Sequence, residues 1–340
     1  MKKSVYYLFL TIFCIFFLIV PIVPDIQISR PKLLVIEILS YILFSSFVIY
    51  SLLGNKIVFR NNKFVYFTFL FLGYIVIRYI FSSDKLLAFN ELRRWSLSIW
   101  LFFAISLINK KHYKRLFNFF VFGSFLAVIY GLLQHYGGTW ILQVPKYDRV
   151  MSMFGNPIFF AAYLINFLPV IFGLYIVEED KNIKFLYFLV LVISLIVLYH
   201  TKTRAAFLGI FFAGMFFVYN IYSSKSKLKY LLIILIIFFI FVLLSRSIWL
   251  RQQAHLLIWR DTLKMWVSKP LFGIGLGKFH TEFVNFASEE LRSIWPEKNF
   301  IINDAHNEYV QFLAENGIVG FLVFVLVIFL FFNLSFNFSV

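Results

Sequence analysis

Residues 228–244 read LKYLLIILIIFFIFVLL, and beyond Lys229 the stretch carries no charge. A helix built from it is apolar all round, so it has no face to offer water and belongs in lipid or at the centre of a very large core. A chain of 340 residues cannot provide such a core. The composition agrees: 61% of the residues are hydrophobic and only 14% charged, against about 25% charged in an ordinary soluble domain. Mean hydropathy is +0.85. The solvent for most of this chain is lipid.

Working outward from that run, a spanning helix needs about 20 apolar residues. Toward the N-terminus the candidates are Ala205–Tyr222, Phe185–His200, Pro157–Val177, Leu116–Tyr136, Trp95–Ile108, Phe64–Phe81, Leu33–Leu53 and Val5–Val23; toward the C-terminus there is Gly317–Phe336. The expected fold is an all-α, polytopic integral membrane protein of about ten spans, with Trp95–Ile108 the shortest. The N-terminus resembles a signal peptide, but its apolar run meets Pro21 and Pro24 without a small-x-small cleavage pattern. It therefore reads as an uncleaved first span.

The net charge of +16 does not require nucleic acid, because the basic residues sit in short clusters between apolar runs. With the N-terminus inside, the inner segments hold 14 basic residues and the short outer segments 9, the asymmetry expected of the positive-inside rule. Among the outer nine are Arg30, Lys32, Lys85 and Lys146; among the inner ones are Lys56 and Arg60. The sequence thus divides into spans over 1–244, a long outer helical loop over 245–316, and a last span over 317–340. That loop carries eight basic and eight acidic residues, four of the seven Trp and three of the six His. It is the one segment long enough to build a polar site.

A single cysteine, Cys14, excludes an intrachain disulfide. Within the spans, Glu37 and Arg78 are charged and each lies within reach of water by snorkelling. An ion-coupled transporter usually carries more midplane charge and an inverted repeat. Cations collect instead at outer helix ends: Arg93, Arg94, Lys146, Arg149, Lys202 and Arg204. The Arg fork matches phosphate oxygens, although for any one such residue interfacial snorkelling is the commoner reason.

In the loop, Trp249–Val267 reads as an interfacial helix stopped by Pro270. Gly273, Gly275 and Gly277 lack the spacing of a nucleotide-binding loop and instead permit a tight backbone path close to the membrane or a ligand. A second helix is expected to start near Asp304 and to break at Gly317, which puts His306 and Tyr309 one turn apart. A His there can serve as a general base near neutral pH. A zinc site from His255, His280 and His306 lacks any supporting spacing.

Four stretches, in order, resemble the O-antigen ligase family, which also takes in polysaccharide polymerases and bacterial protein O-oligosaccharyltransferases. They are Phe154-Gly155-Asn156-Pro157 through Ala162-Tyr163-Leu164; Thr201-Lys202-Thr203-Arg204-Ala205-Ala206-Phe207-Leu208-Gly209; Trp259 through Pro270-Leu271-Phe272-Gly273-Ile274-Gly275-Leu276-Gly277; and His306-Asn307-Glu308-Tyr309 through Glu315-Asn316-Gly317-Ile318-Val319-Gly320. They cover roughly the second half of the chain, while the first half matches only as generic spans.

The resemblance implies a GT-C-like glycosyltransferase of the bacterial inner membrane, needing no metal or other cofactor, with its long loop in the periplasm. Such enzymes move a glycan from undecaprenyl pyrophosphate to a hydroxyl of a glycan, of lipid A-core or of a protein, with inversion. By the same resemblance Arg204 meets the leaving pyrophosphate with His306 as base. Arg260, Arg93, Arg94, His255, Asn307 and Glu308 bind substrate, and Glu308 or Glu315 orients the base. One departure is His255, where the family often has Arg four residues before the loop Trp; another is the single span after the last motif. The rival readings are a polysaccharide or lipid flippase, which needs no His306, and a non-catalytic envelope-assembly protein.

Overall fold

A computed structural model of the protein describes residues 2–25, 31–52, 63–137, 148–221, 224–249, 254–294 and 302–337. Among the described residues the regular structure is helical, with no strand. In chain order the helices are α1 (Lys2–Ile22), α2 (Pro31–Leu52), α3 (Lys63–Ile80), α4 (Lys85–Ser106), α5 (Tyr113–His135), α6 (Pro157–Val177), α7 (Lys181–His200), α8 (Arg204–Ile221), α9 (Ser224–Leu244), α10 (Arg246–Trp249), α11 (Ala254–Ser268), α12 (Phe279–Glu282), α13 (Glu289–Ile294) and α14 (Glu308–Asn337).

Against the ten spans expected, seven helical stretches among the described residues are long and apolar enough to cross a membrane: Pro31–Leu52, Lys63–Ile80, Lys110–His135, Pro157–Val177, Lys181–His200, Ser226–Leu244 and Glu308–Asn333. Tyr6–Ile22 and Arg204–Asn220 are shorter apolar helices. The expected span at Trp95–Ile108 lies on α4, whose first half carries Asn90, Glu91, Arg93 and Arg94 and so interrupts the apolar run. The protein is a multi-pass membrane protein on this evidence.

The chain divides into two compact units, the first made of residues 1–56 and 104–251. There α1 lies against α2 and α5, and α6 against α7 and α8. Helix α6 contributes the stripe Phe160, Leu164, Phe167 and Ile171, all fully buried against Val128, Val197 and Phe207. The spacing of four, three and four residues keeps these on one face. Asn156 starts the helix by accepting the Ile158 N–H at 2.8 Å, and Pro157 follows at the first helical position, where its missing N–H costs nothing. Asp180 caps α7 in the same way, accepting the N–H groups of Asn182 and Ile183.

The second unit comprises residues 57–103 and 252–340, with α3 and α11 packed on α14. Phe71, Trp95, Phe312 and Phe324 form an aromatic cluster among α3, α4 and α14. Helix α14 is broken at Gly317, with φ 67° and ψ −174°, a backbone region that only glycine enters freely. The break exposes backbone groups that lipid cannot satisfy, and the glycine-rich turn after α11 satisfies them. Ile274 and Gly275 donate to the carbonyls of Ala314 and Glu315 at 3.0 and 3.1 Å, while Ile318 and Val319 donate to those of Pro270 and Leu271 at 2.9 and 3.3 Å. Tyr74 Oη donates to the Asn316 carbonyl at 2.6 Å.

Two sequence readings change here. Arg78, expected to snorkel toward water, instead donates to the Glu315 carbonyl at 3.3 Å from within its own unit. The glycines at 273, 275 and 277 do bring backbone into close approach: Gly273 and Gly277 lie against other backbone, and Gly275 lies against the Lys278 side chain. A Cβ on Gly273 would collide with the Glu315 carbonyl, and one on Gly277 would come within 2.8 Å of the Leu87 carbonyl oxygen.

Gly317→Ala is therefore expected to destabilise this unit by about 3 kcal/mol or more, from backbone strain together with a clash against the Leu271 carbonyl. Gly73→Ala, on an open face of α3 with nothing within 4 Å, serves as the control. Thermal unfolding of the two variants in detergent checks this; equal midpoints would refute it.

Candidate active site

His306 lies in the short segment that leads into α14. Asp304 Oδ1 accepts the His306 backbone N–H at 2.9 Å and contacts His306 Nδ1 at 2.8 Å. The chain thus turns tightly around one carboxylate, with His306 at φ 53°, a left-handed conformation uncommon for a residue with a side chain. Helix α14 begins at Glu308, not near Asp304: Asn307 Oδ1 accepts the N–H groups of Tyr309 at 3.0 Å and Val310 at 3.3 Å. His306 consequently precedes the helix, and the expected one-turn relation to Tyr309 does not apply. Asn307, expected to bind substrate, acts here as the N-cap.

The Asp304 contact puts the imidazole proton on Nδ1 and leaves Nε2 as the acceptor. This is the arrangement of an oriented base. The carboxylate in contact with the imidazole is Asp304, where the sequence reading had Glu308 or Glu315. Its hydrogen bond raises the His306 imidazole above its ordinary pKa, and the same bond holds the Asp304 carboxyl below the usual carboxylate range. His306's contribution to stability is full below the ordinary imidazole value and fades as pH rises through the raised one. Asp304's is full above the ordinary carboxylate value and is lost as pH falls through the depressed one. Both side chains are nearly half exposed, so the pair adds at most about 1 kcal/mol in the window between.

Several expected residues gather around this segment. His255, at the start of α11, stands edge-on to the His306 ring with centroids 4.8 Å apart. Trp259, one turn further, donates from Nε1 to the Ala305 carbonyl at 2.9 Å. Glu308 accepts from Arg94 at 3.1 Å, and Arg94 also pairs with Glu91 at 2.7 Å. The Arg94 guanidinium lies over the Trp95 ring, 5.1 Å from its centroid. Arg93 donates to Asn90 Oδ1 at 3.4 Å on the same helix.

Others are held differently. Arg260 pairs with Glu290 at 2.9 Å and donates to Ser288 Oγ at 2.9 Å. Asp261, fully buried beside it, accepts the Ser288 N–H at 2.9 Å and Oγ–H at 2.7 Å. Burial pushes the Asp261 carboxyl up, but Ser288 and Lys264 together hold it below the usual range. Arg260 thus ties α11 to the start of α13, and an anion would have to displace Glu290 to reach it. Among the described residues no three potential metal ligands converge, so the His255, His280 and His306 trio is not assembled.

Arg204 belongs to the first unit. Its Nη1 donates to the Trp249 carbonyl at 3.2 Å. The turn before it is built by Arg149, which donates to the Thr201 carbonyl at 2.7 Å and to Thr203 Oγ1 at 2.9 Å. Lys202, at φ 48°, pairs with Asp148 at 2.6 Å. Lys146, another expected cation, lies outside the described residues. Asp304 escaped the sequence reading as the base's partner. Its signal was an acidic residue two before a His, the spacing at which an Asx turn folds a carboxylate back on its neighbour.

Asp304→Asn is expected to lower the His306 pKa, so that half-modification of this residue by diethyl pyrocarbonate, which attacks the neutral imidazole, moves to lower pH. Peptide mapping across a pH series checks it. An unmoved midpoint would mean that Asp304 does not set the basicity of this imidazole.

Comparison with known proteins fits these residues into a family. Residues 189–325 match the family model described as O-antigen ligase; that segment holds Arg204, α11, the glycine turn, the Asp304–His306 pair and the break at Gly317. No curated relative and no solved structure matches the chain. This matched segment, about two fifths of the chain, is similar to the O-antigen ligase family and supports a ligase- or polymerase-type role in envelope polysaccharide assembly.

Proposed function

We propose that the protein is an inverting glycosyltransferase that moves a glycan from undecaprenyl pyrophosphate to an acceptor hydroxyl. The observation that carries this reading is the contact between Asp304 Oδ1 and His306 Nδ1, which leaves Nε2 free to take a proton. As the acceptor oxygen bonds to the anomeric carbon from the opposite face, its proton passes to Nε2. The bond from that carbon to the pyrophosphate oxygen breaks, and its electron pair leaves on the phosphate. The departing charge needs preorganised cations. Arg94 and Arg93 on α4 are candidates in the same unit, since Arg94 reaches Glu308, two residues beyond the base. Arg204 keeps the pyrophosphate-binding role that its motif implies, and that role rests on the motif alone.

A flippase has no use for an oriented imidazole base, which is why the enzymatic reading is preferred. The same reading takes α1, α4 and α8 as spans beside the seven. This restores a ten-span, GT-C-like topology in the inner membrane, with the N-terminus cytoplasmic and the segment before α14 periplasmic. The acceptor hydroxyl belongs to a glycan, to lipid A-core or to a protein.

His306→Ala and Arg204→Ala are each expected to lower glycan transfer by about 100-fold or more, with normal membrane insertion and a build-up of the lipid-linked donor. Transfer in membranes and extraction of the lipid-linked pool measure both. Undiminished transfer in the His306 variant would sink the assignment of the base.

A further inference from the structure

Between the two members of the pair sits Ala305, which is fully buried. Its N–H donates to Gln311 Oε1 at 3.0 Å, and its carbonyl accepts from Trp259 Nε1 at 2.9 Å. The peptide that joins Asp304 to His306 is therefore gripped on both sides, from α14 and from α11. Gln311 is in turn held. Its backbone N–H donates to the Asn307 carbonyl at 3.0 Å, and its Nε2 faces Glu315 Oε1 at 3.4 Å.

Glu315 is almost wholly buried, and its two oxygens accept the N–H groups of Phe279 at 3.0 Å and Gly277 at 3.1 Å. Both Glu315 oxygens already accept backbone N–H groups, which favours the amide nitrogen of Gln311 as the group that points toward Oε1. That leaves the amide oxygen for Ala305. A chain of contacts thus runs from the glycine turn through Glu315 and Gln311 to the segment that carries the base.

The left-handed backbone of His306 explains the need for such a grip. A conformation of this kind costs about 1–2 kcal/mol outside glycine and persists only where the surroundings over-determine it. Without the Gln311 oxygen, a buried Ala305 N–H is left unpaired and the segment gains a reason to relax. We propose that Gln311, keyed by Glu315, is a positioning residue for His306: by holding the Ala305 peptide it keeps Asp304 and His306 in the geometry of an oriented base. This rests on the reading of His306 as the base.

The titratable groups facing His306 are Asp304 on its own segment and His255 on α11, while Glu308 pairs with Arg94 from α4. A relaxed segment loses the Asp304 contact first. The expected signature is therefore a change in turnover and in pH dependence, and not in donor affinity.

The test compares Gln311→Leu, Gln311→Glu and His306→Ala in the full-length protein in native membranes. Transfer from the undecaprenyl-pyrophosphate-linked glycan of the producing strain is followed across pH. Gln311→Leu is expected to lower kcat by up to about 100-fold, to leave KM for the donor within about twofold, and to move the acid limb of the rate toward lower pH. Gln311→Glu keeps an oxygen for the Ala305 N–H but loses the donor that faces Glu315, so it is expected to move the limb in the same direction by less than Gln311→Leu. A Gln311→Leu variant that loses only folded protein, with its acid limb unmoved, overturns the proposal. So does wild-type behaviour in that variant while His306→Ala is dead, which leaves the base itself standing. An active His306→Ala variant overturns both.

Discussion

The second unit depends on a broken helix that has been sealed. Helix α14 parts at Gly317, and in a lipid environment each unpaired backbone group at the break costs several kcal/mol. The turn from Pro270 to Gly275 meets that demand on both sides of the break, donating to the carbonyls before it and accepting the N–H groups after it. Tyr74 and Arg78 add donors from α3. Since the turn follows α11 directly, the seal also decides where α11 lies along α14, and with it where His255 and Trp259 meet the segment carrying His306.

Glu315 links this structural seal to the chemistry. Its backbone carbonyl accepts from the glycine turn, and its carboxylate accepts from the same turn two and four residues later. Its carboxylate is hydrogen-bonded by two backbone N–H groups and the Gln311 amide, so the residue holds the turn and orients Gln311. The polar side chains of α14's first two turns divide the work: Asn307 starts the helix, Glu308 takes Arg94, Gln311 holds Ala305, and Glu315 closes the loop. None of them needs to touch substrate for its substitution to disturb a substrate.

The charged residues divide in a similar way. Arg260 and Arg78 carry charge that their own unit consumes, in a clasp with Glu290 and in a cap on a helix carbonyl. Arg94 sits between the partly buried Glu91 and the exposed Glu308, beside the start of α14. The exposed Arg94–Glu308 pair is worth little to stability. The Arg260–Glu290 pair is as exposed as Arg94–Glu308, and what sets Arg260 apart is its further contact with the fully buried Asp261.

Lipid immersion was legible from composition and from runs such as 228–244, because no water-soluble arrangement can hide that much apolar surface. The break at Gly317 was legible too, because it is local and local backbone chemistry dictates it. Trp95–Ile108 was harder to read, since the polar first half of α4 is helix all the same. The partner of His306 stayed hidden because two candidate carboxylates, Glu308 and Glu315, lay at plausible helical spacings. Where α14 began removed both, because Asn307 moved that start past His306.

By itself the sequence determined the solvent, the order of the helices and the residue types available at the candidate site, since these follow from hydropathy, capping chemistry and motif order. Only the tertiary structure decided which carboxylate faces the imidazole, which arginines are consumed as staples, and what the glycine turn approaches. Those outcomes depend on which unpaired backbone groups meet in space, and contacts between residues some 40 positions apart, such as Gly277 with Glu315, leave no periodicity along the chain.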